Sequence, residues 1–531
     1  MPIASSTGSA AGIEEALVLL LIIAAAVAVV ARRVGVPYNI GLVLVGLAVG
    51  LAVHVETLRL SSDLVFYVFL PILLFEAAFN LEVRQLRAQW RRIAALAVPG
   101  VLVAFALTAL GTHVLGGVSW SLALLFGALI AATDPVSVVS LFRRLGVSER
   151  LTTLVDAESL YNDGAAAVLF AIVIAVVVDG HAFSVGWAAG EFAWMAVGGL
   201  VVGLAVGYGA SFVHHQLDDH LIEITLSTIV AYGSFLLGET LGMSGVVACV
   251  TAAIVLGNLG RRRTMNPVTR VTMGTVWEYA AFVANSLIFL LIGLSMHLSV
   301  IAGHIGLVLI AFAVVVGARA VTVYGYGLIA HLFGSGLPIR WQHVLVWGGL
   351  RGTIALALVL SVPSAVAGRA TLEVVTFGVV LLSLVGQGLT IPWLTRRLGL
   401  AGQEESVSRR RREVLLEGFV RAHEELDRLQ ETGVLPGPKR KHVQQTIEEQ
   451  ENAVLDGLVP IADEPAAGDE ERLSERIGAL VGQRRRIVVL HRAGAVDEAM
   501  KAALLAELDD RVALLGERLT GGEPRGREER S

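Results

Sequence analysis

The sequence predicts an all-α polytopic membrane protein with a small helical tail, and three observations carry that expectation. Of its 531 residues 55% are apolar and only 16% are charged, against roughly 45–50% and about 25% in soluble domains. The mean hydropathy is +0.70. Up to residue 402, apolar runs follow one another, each about 20 residues long, enough to cross about 30 Å of hydrocarbon as a helix. Most of the charge lies beyond that point, so the net charge of −5 averages two unlike materials. One cysteine, Cys249, rules out an intrachain disulfide and gives no sign of redox chemistry.

About thirteen candidate spans are read along the chain: 13–31, 37–54, 63–81, 93–115, 119–142, 151–178, 184–213, 221–238, 243–259, 272–296, 303–331, 341–361 and 372–395. The first run exceeds a signal-peptide core and no small-residue cleavage pattern follows it, so it reads as a span. Arginines crowd one set of alternate loops: Arg32 and Arg33; Arg84, Arg87, Arg91 and Arg92; Arg143, Arg144 and Arg150; Arg261, Arg262, Arg263 and Arg270; and Arg340. The opposite set holds Arg59 and Arg369. The positive-inside rule places the first set in the cytoplasm. The N-terminus is then outside and, for an odd number of spans, the C-terminus inside, next to Arg396 and Arg397. The loop 214–220 is cytoplasmic in this scheme yet carries no arginine. The expected division is a transmembrane domain over 1–401 and a cytoplasmic helical tail over 402–531. Leu415, Leu416, Phe419, Val420 and, later, Met500, Leu504, Leu505 and Leu508 recur in that tail at helical spacing.

A charge at mid-bilayer costs at least about 2.5–3.5 kcal/mol, so each one needs a reason. Glu76, Asp134, Asp156, Glu158, Asp163, Glu191, Glu223, Glu239, Glu278, Arg319, Arg351 and Glu373 fall within or near spans. Glu223, Glu239 and Glu373 are expected near span ends, reaching water or an interfacial partner. The sixth span is different: Asp156, Glu158, Ser159, Asn162 and Asp163 lie within about two turns. Ser159 and Asp163 share a face with Asp156 a turn earlier, and Glu158 and Asn162 form a neighbouring row. A carboxylate and a hydroxyl on one face are hard oxygen ligands suited to an alkali cation. The alternative is a structural polar network between helices.

The fifth span carries Thr133-Asp134-Pro135 in mid-run. Pro135 removes a backbone donor, and irregular backbone at membrane depth is tolerated where it is buried or lines a cavity. A plain proline kink is the simpler alternative. In the twelfth span Gly348, Gly349 and Gly352 surround Arg351. If spans 1–6 and 8–13 are inverted copies, the two interruptions correspond, and such pairs point to a transporter's binding site. Arg319, in the eleventh span, is expected to pair with Glu158. Arg351 is expected to offset helix-end partial charges where the two broken helices cross.

With these residues in place the sequence resembles the sodium–proton exchangers of the first monovalent cation–proton antiporter family. The resemblance rests on Thr133-Asp134-Pro135, on Glu158-Ser159-Leu160-Tyr161-Asn162-Asp163-Gly164, on Trp347-Gly348-Gly349-Leu350-Arg351-Gly352 and on the stretch from Phe69 to Glu76, and it runs over roughly 13–400. It implies a homodimer in the bacterial plasma membrane, with a dimerisation domain and a mobile core moving like an elevator. It implies that Asp163 carries Na⁺ or H⁺, with Asn162 beside it and Thr133, Asp134, Ser159 and Glu76 around the ion. It also implies a Glu158–Arg319 ion pair, and electroneutral one-for-one exchange from the Asn-Asp pair at 162–163. No cofactor is expected beyond the transported Na⁺ (K⁺ and Li⁺ being compatible) and H⁺.

A K⁺/H⁺ antiporter is the nearest rival, because the ligand set fits either ion. A cation channel or a membrane sensor is a rival of another class. An enzyme is excluded by the lack of metal-ligand spacing, phosphate loop or nucleophile constellation, and no basic stripe with interleaved aromatics suggests nucleic acid. The histidines, His113, His181, His214, His215, His297 and His304, are expected near span ends. Membrane lipid is an expected partner, and nothing in the tail names a regulatory ligand.

Overall fold

The structure is a computed structural model, and it describes residues 10–34, 37–52, 61–214, 219–259, 267–296, 298–332, 336–402 and Ala502. The tail expected over 402–531 lies outside the described residues save Gly402 and Ala502, as do Arg261, Arg262 and Arg263. Among the described residues there are helices and no strand. The fold starts with α1 (Ala10–Val34), α2 (Tyr38–Ala52), and α3 (Leu70–Asn80), which continues a π-helical segment, Leu64–Phe69. Then come α4 (Val83–Ala97), α5 (Pro99–Gly116), α6 (Trp120–Ile130), α7 (Val136–Leu145), α8 (Glu149–Val177) and α9 (Val185–His214). After α10 (His220–Thr240), α11 (Gly245–Leu259) and α12 (Pro267–Ser295) follow α13 (Leu298–Gly303), α14 (Ile305–Leu332), α15 (Ile339–Trp347) and α16 (Thr353–Ser361). The last described helices are α17 (Arg369–Leu382), a π-helical turn Ser383–Gln387, and α18 (Gly388–Arg397).

By length and composition, seven helical stretches among the described residues are long and apolar enough to cross a membrane. Shorter apolar helices fill most of the remaining expected spans, including Tyr38–Ala52, Trp120–Ile130 and Gly245–Leu259. One boundary moves. The fourth span was expected from residue 93, but the helix starts at Val83, ten residues earlier. Leu86, Gln89, Ile93 and Leu96 form a buried stripe at i, i+3, i+7 and i+10, while Arg84, Arg87 and Arg91 face outward. That amphipathic pattern is helical, but its charge kept it out of a purely apolar window.

The helices sort into two packing groups. In one, α2 lies along α12, α11 along α9, α3 and α10, and α1 on α2. In the other, α5 packs on α14 and α6, α4 on α8, α6 on α8, and α14 on α15 and α17. The groups meet where α8 lies against α9, α11 and α3. Hydrocarbon lends no hydrophobic drive to helix association, so close packing of small residues takes its place. Gly46 of α2 and Gly293 of α12 show this: a Cβ at Gly46 would meet the Leu290 carbonyl, and one at Gly293 the Val43 carbonyl.

Both interruptions expected in the sequence are present. Residues 131–135 separate α6 from α7, and 348–352 separate α15 from α16. The first break follows from Pro135, which cannot donate and disfavours helical backbone at Asp134. At the second, a Cβ on Gly352 would run into the Asp134 side chain, so only glycine lets the two breaks come together.

Prediction: Gly293→Ala forces α2 and α12 apart. Overpacking typically costs about 1–3 kcal/mol, read as a lowered unfolding temperature of the purified protein in detergent; an unchanged temperature would contradict the packing described.

Candidate functional site

The site is built where the two breaks cross beside α8. Asp134 N donates to Leu350 O at 2.8 Å, joining one break to the other. Arg351 is buried, and its Nη1 donates to Ala131 O at 2.8 Å and Ala132 O at 2.9 Å. These carbonyls end α6, where a helix leaves acceptors unsatisfied and carries partial negative charge. Ser383, in the π-helical turn, accepts from Arg351 N at 3.1 Å and donates to Arg351 O at 3.3 Å. Pro135 precedes α7 and accepts from Val139 N at 2.8 Å.

Helix α8 brings its polar run to this crossing. Thr133 Oγ1 and Ser159 Oγ are hydrogen-bonded at 2.9 Å. Asn162 Nδ2 donates to Thr133 Oγ1 at 3.1 Å and, at 3.5 Å, to Glu158 Oε1. Glu158 is held by Arg319 of α14, with Nη1 to Oε1 at 2.8 Å and Nη2 to Oε2 at 2.9 Å. Arg319 Nε also donates to Leu345 O at 3.2 Å. This is the two-pronged match that guanidinium and carboxylate geometry favours. Glu158, Asn162 and Arg319 are all buried.

Asp163 is 7% exposed, and its Oδ1 has no hydrogen-bond partner. It lines a cavity of about 60 Å³ together with Thr133, Asp134, Asp156, Asn285 and Thr353, closed by apolar residues of α3. Asp134 Oδ1 accepts from Val136 N at 3.0 Å, while Oδ2 has no partner. Among the described residues, no Arg, Lys or His lies within ion-pair distance of Asp134, Asp156 or Asp163. The acids of the crossing thus divide into one neutralised carboxylate, Glu158, and several that are not.

Ser159 and Asn162 do not line the cavity but are hydrogen-bonded to Thr133, which does, whereas Glu76 is not brought in. Glu76 is half-buried on α3, accepts from Asn80 Nδ2 at 2.9 Å, and does not line the cavity that Leu73, Leu74 and Ala77 of the same helix line. Its helix reaches the site, but its side chain is turned to its own helix end. Glu223, in the first turn of α10, finds a partner at the span end: it is buried and lies 2.9 Å from the equally buried His214, the last residue of α9. Glu373 pairs with Arg369 at 2.7 Å, as a span-end residue does. Ser383, Asn285 and Thr353 were missed because the search for costly residues scanned charges. A neutral amide or hydroxyl in an otherwise apolar span was the signal available.

Two interrupted helices crossing at membrane depth, with a buried acidic helix beside them, define a multi-pass secondary transporter rather than an enzyme. The chain belongs to the sodium/hydrogen exchanger family: the family described as "Sodium/hydrogen exchanger, transmembrane" matches residues 17–397. The "Low-affinity Na(+)/H(+) antiporter NhaS1" of Synechocystis sp. is 41% identical over 374 residues, covering 70% of this chain and 71% of that one. The "Na(+)/H(+) antiporter ApNhaP" of Aphanothece halophytica is 42% identical over 370 residues, covering 69% and 70%. The fold is similar to the solved structure of the sodium proton antiporter MjNhaP1 from Methanocaldococcus jannaschii, at a TM-score of 0.61 and 20% identity, covering 72% of this chain and 98% of that one.

Prediction: Glu158→Gln leaves Arg319 buried without a counter-charge, at about 3–5 kcal/mol. The expected result is a marked loss of thermal stability, partly restored in the swapped pair Glu158→Arg with Arg319→Glu. Full stability of the single variant would count against the pair as a structural tie.

Proposed function

We propose that this protein exchanges Na⁺ for H⁺ across the bacterial plasma membrane, one for one and without net charge transfer. The observation that carries the reading is Asp163: a buried carboxylate facing a cavity, without a cationic partner among the described residues, beside two crossed helix breaks. Both named relatives described above are Na⁺/H⁺ antiporters by name.

Na⁺ and H⁺ compete for Asp163. Thr133, Ser159 and Asp134 supply further oxygens to the ion, and Asn162 orients the hydroxyls without adding a second proton carrier. Carrying a bare carboxylate past an apolar barrier costs far more than carrying a neutral one. The core, α4–α8 with α14–α18, therefore crosses between inward- and outward-facing states, as an elevator, only when Asp163 holds Na⁺ or a proton. That penalty couples the two fluxes and suppresses leak. Glu158 takes no part in the exchange, because both of its carboxylate oxygens are engaged by Arg319. K⁺ and Li⁺ meet the same oxygens, and selectivity among the three is set by fit. Glu76 joins the ion only if α3 reorients its side chain toward the cavity.

The protein works as a homodimer in lipid, with the group containing α1, α2 and α12 as its dimerisation part, the N-terminus outside and the C-terminus in the cytoplasm. Its exchange serves pH homeostasis. Residues 1–401 form the antiporter domain and 402–531 a regulatory tail for a ligand of unknown identity. The contact pattern, which divides between Ala401 and Gly402, supports that boundary.

Prediction: in vesicles with a pH dye, the wild-type protein exchanges protons for Na⁺ and generates no membrane potential. Asp163→Asn abolishes exchange while the protein remains folded. Retained exchange would remove the central claim, and a current would remove electroneutrality. A second expectation concerns the tail: ending the chain after residue 402 shifts the pH at which exchange is half-maximal. An unshifted pH profile would make the tail a bystander.

A further inference from the structure

Helix α12 is apolar where it passes the cavity, with Ala281, Ala284, Leu287, Ile288 and Phe289 buried. Two polar residues interrupt that run, and they are satisfied differently. Ser286 donates to Phe282 O at 2.7 Å, within its own helix. Asn285 is 5% exposed, and its Oδ1 has no hydrogen-bond partner. Buried amide oxygens are ordinarily paired, so an orphan needs an explanation. Asn285 lines the cavity that Thr133, Asp134 and Asp163 also line, and Asp134 Oδ2 and Asp163 Oδ1 are orphans too. With both carboxyls ionised, these three oxygens are all acceptors and cannot satisfy one another. A cation among them satisfies all three.

We propose that Asn285 Oδ1 is a ligand of the transported alkali cation, reaching it from the helix group opposite to the one that holds Asp163. This rests on the reading of Asp163 as the ion carrier. An amide oxygen coordinates without adding charge, so Asn285 leaves the charge balance set by Asp134, Asp163 and the cation unchanged. An aspartate in its place would break that balance. Helix α12 packs on α2 and α3, whereas Asp163 rides on α8, which packs on α4 and α6. When the core moves, Asn285 stays behind. It therefore assists loading and release on the side to which the cavity faces and leaves the opposite side unaffected. About 60 Å³ accommodates a cation with a water molecule to complete its shell.

The test is the rise in unfolding temperature that Na⁺ produces in the purified full-length protein, titrated at constant ionic strength. The wild type, Asn285→Ala, Asn285→Ser and Asp163→Asn are compared. Asn285→Ala is expected to raise the half-saturating Na⁺ concentration about tenfold, the usual loss for a removed contact at a metal site, with Asn285→Ser in between. Without Na⁺ its unfolding temperature is unchanged or higher, because an orphaned amide has gone. A wild-type half-saturation in both variants, with or without a lowered Na⁺-free unfolding temperature, makes Asn285 a structural residue and overturns the proposal. Should the alanine variant fail to purify, the serine variant decides alone. A wild-type Na⁺ response in Asp163→Asn would sink the carrier reading and this one with it. Loss of response there, alongside a wild-type response in the Asn285 variants, sinks only the amide ligand.

Discussion

A helix broken inside a membrane leaves carbonyl and amide groups that hydrocarbon cannot solvate, and the architecture here depends on two such breaks satisfying each other. Asp134 N finds Leu350 O, and the guanidinium of Arg351 takes the carbonyls of Ala131 and Ala132. The arginine, itself costly in an apolar setting, is offset by the negative end of α6, whose carbonyls lack partners for the same reason. Each break thus makes the other tolerable. Ser383 adds a clamp on the backbone of Arg351 from a third helix, so the crossing is anchored on three sides. The breaks also turn Thr133 and Asp134 toward α8, which an unbroken helix would have placed along a continuous wall.

Charge is distributed around the crossing by the same logic of pairing. Glu158 and Asp163 are five residues apart on one helix, both buried, yet they differ completely in their company. Two prongs of Arg319 hold Glu158, and the amide of Asn162 leans on it. Asp163 has a vacant acceptor oxygen and a cavity instead. A buried ion pair contributes little net stability over an apolar pair, because desolvation consumes most of the attraction. Here it ties α8 to α14 through two hydrogen bonds. Asp163, like Asp134, keeps a carboxylate oxygen without a partner.

The cavity lies at the seam between the two helix groups, and the groups themselves are packed in different ways. On one side small residues let backbones touch, as Gly46 and Gly293 do between α2 and α12. On the other side the polar network of α6, α8, α14 and α15 ties helices through side chains. Backbone contact through glycine tolerates little displacement, since any side chain at those positions would strike a carbonyl. The seam thus has one wall built this way and another that carries the carboxylates of Asp134, Asp156 and Asp163.

Much of this was legible in the sequence. Runs of apolar residues determine helices by themselves in a bilayer, because no other open structure satisfies the backbone there. Pro135 and the glycines around Arg351 locate the breaks, since local backbone chemistry decides them. The run from Asp156 to Asp163 declares a polar face because helical spacing is fixed. What the tertiary structure alone decided is which acid faces which partner. Glu76 and Asp163 look alike as isolated charges in apolar spans, yet one turns to Asn80 and the other to the cavity. Glu223 and His214 read as residues near span ends, and packing buried them there against each other. Asn285, a neutral amide among apolar neighbours, attracts no notice until its helix is set beside the cavity. The physical reason is common to all five. A side chain's cost in the membrane is a property of its own chemistry and can be read from the sequence, whereas the partner or cavity that it meets is set by how the helices pack, and only folding brings the two together.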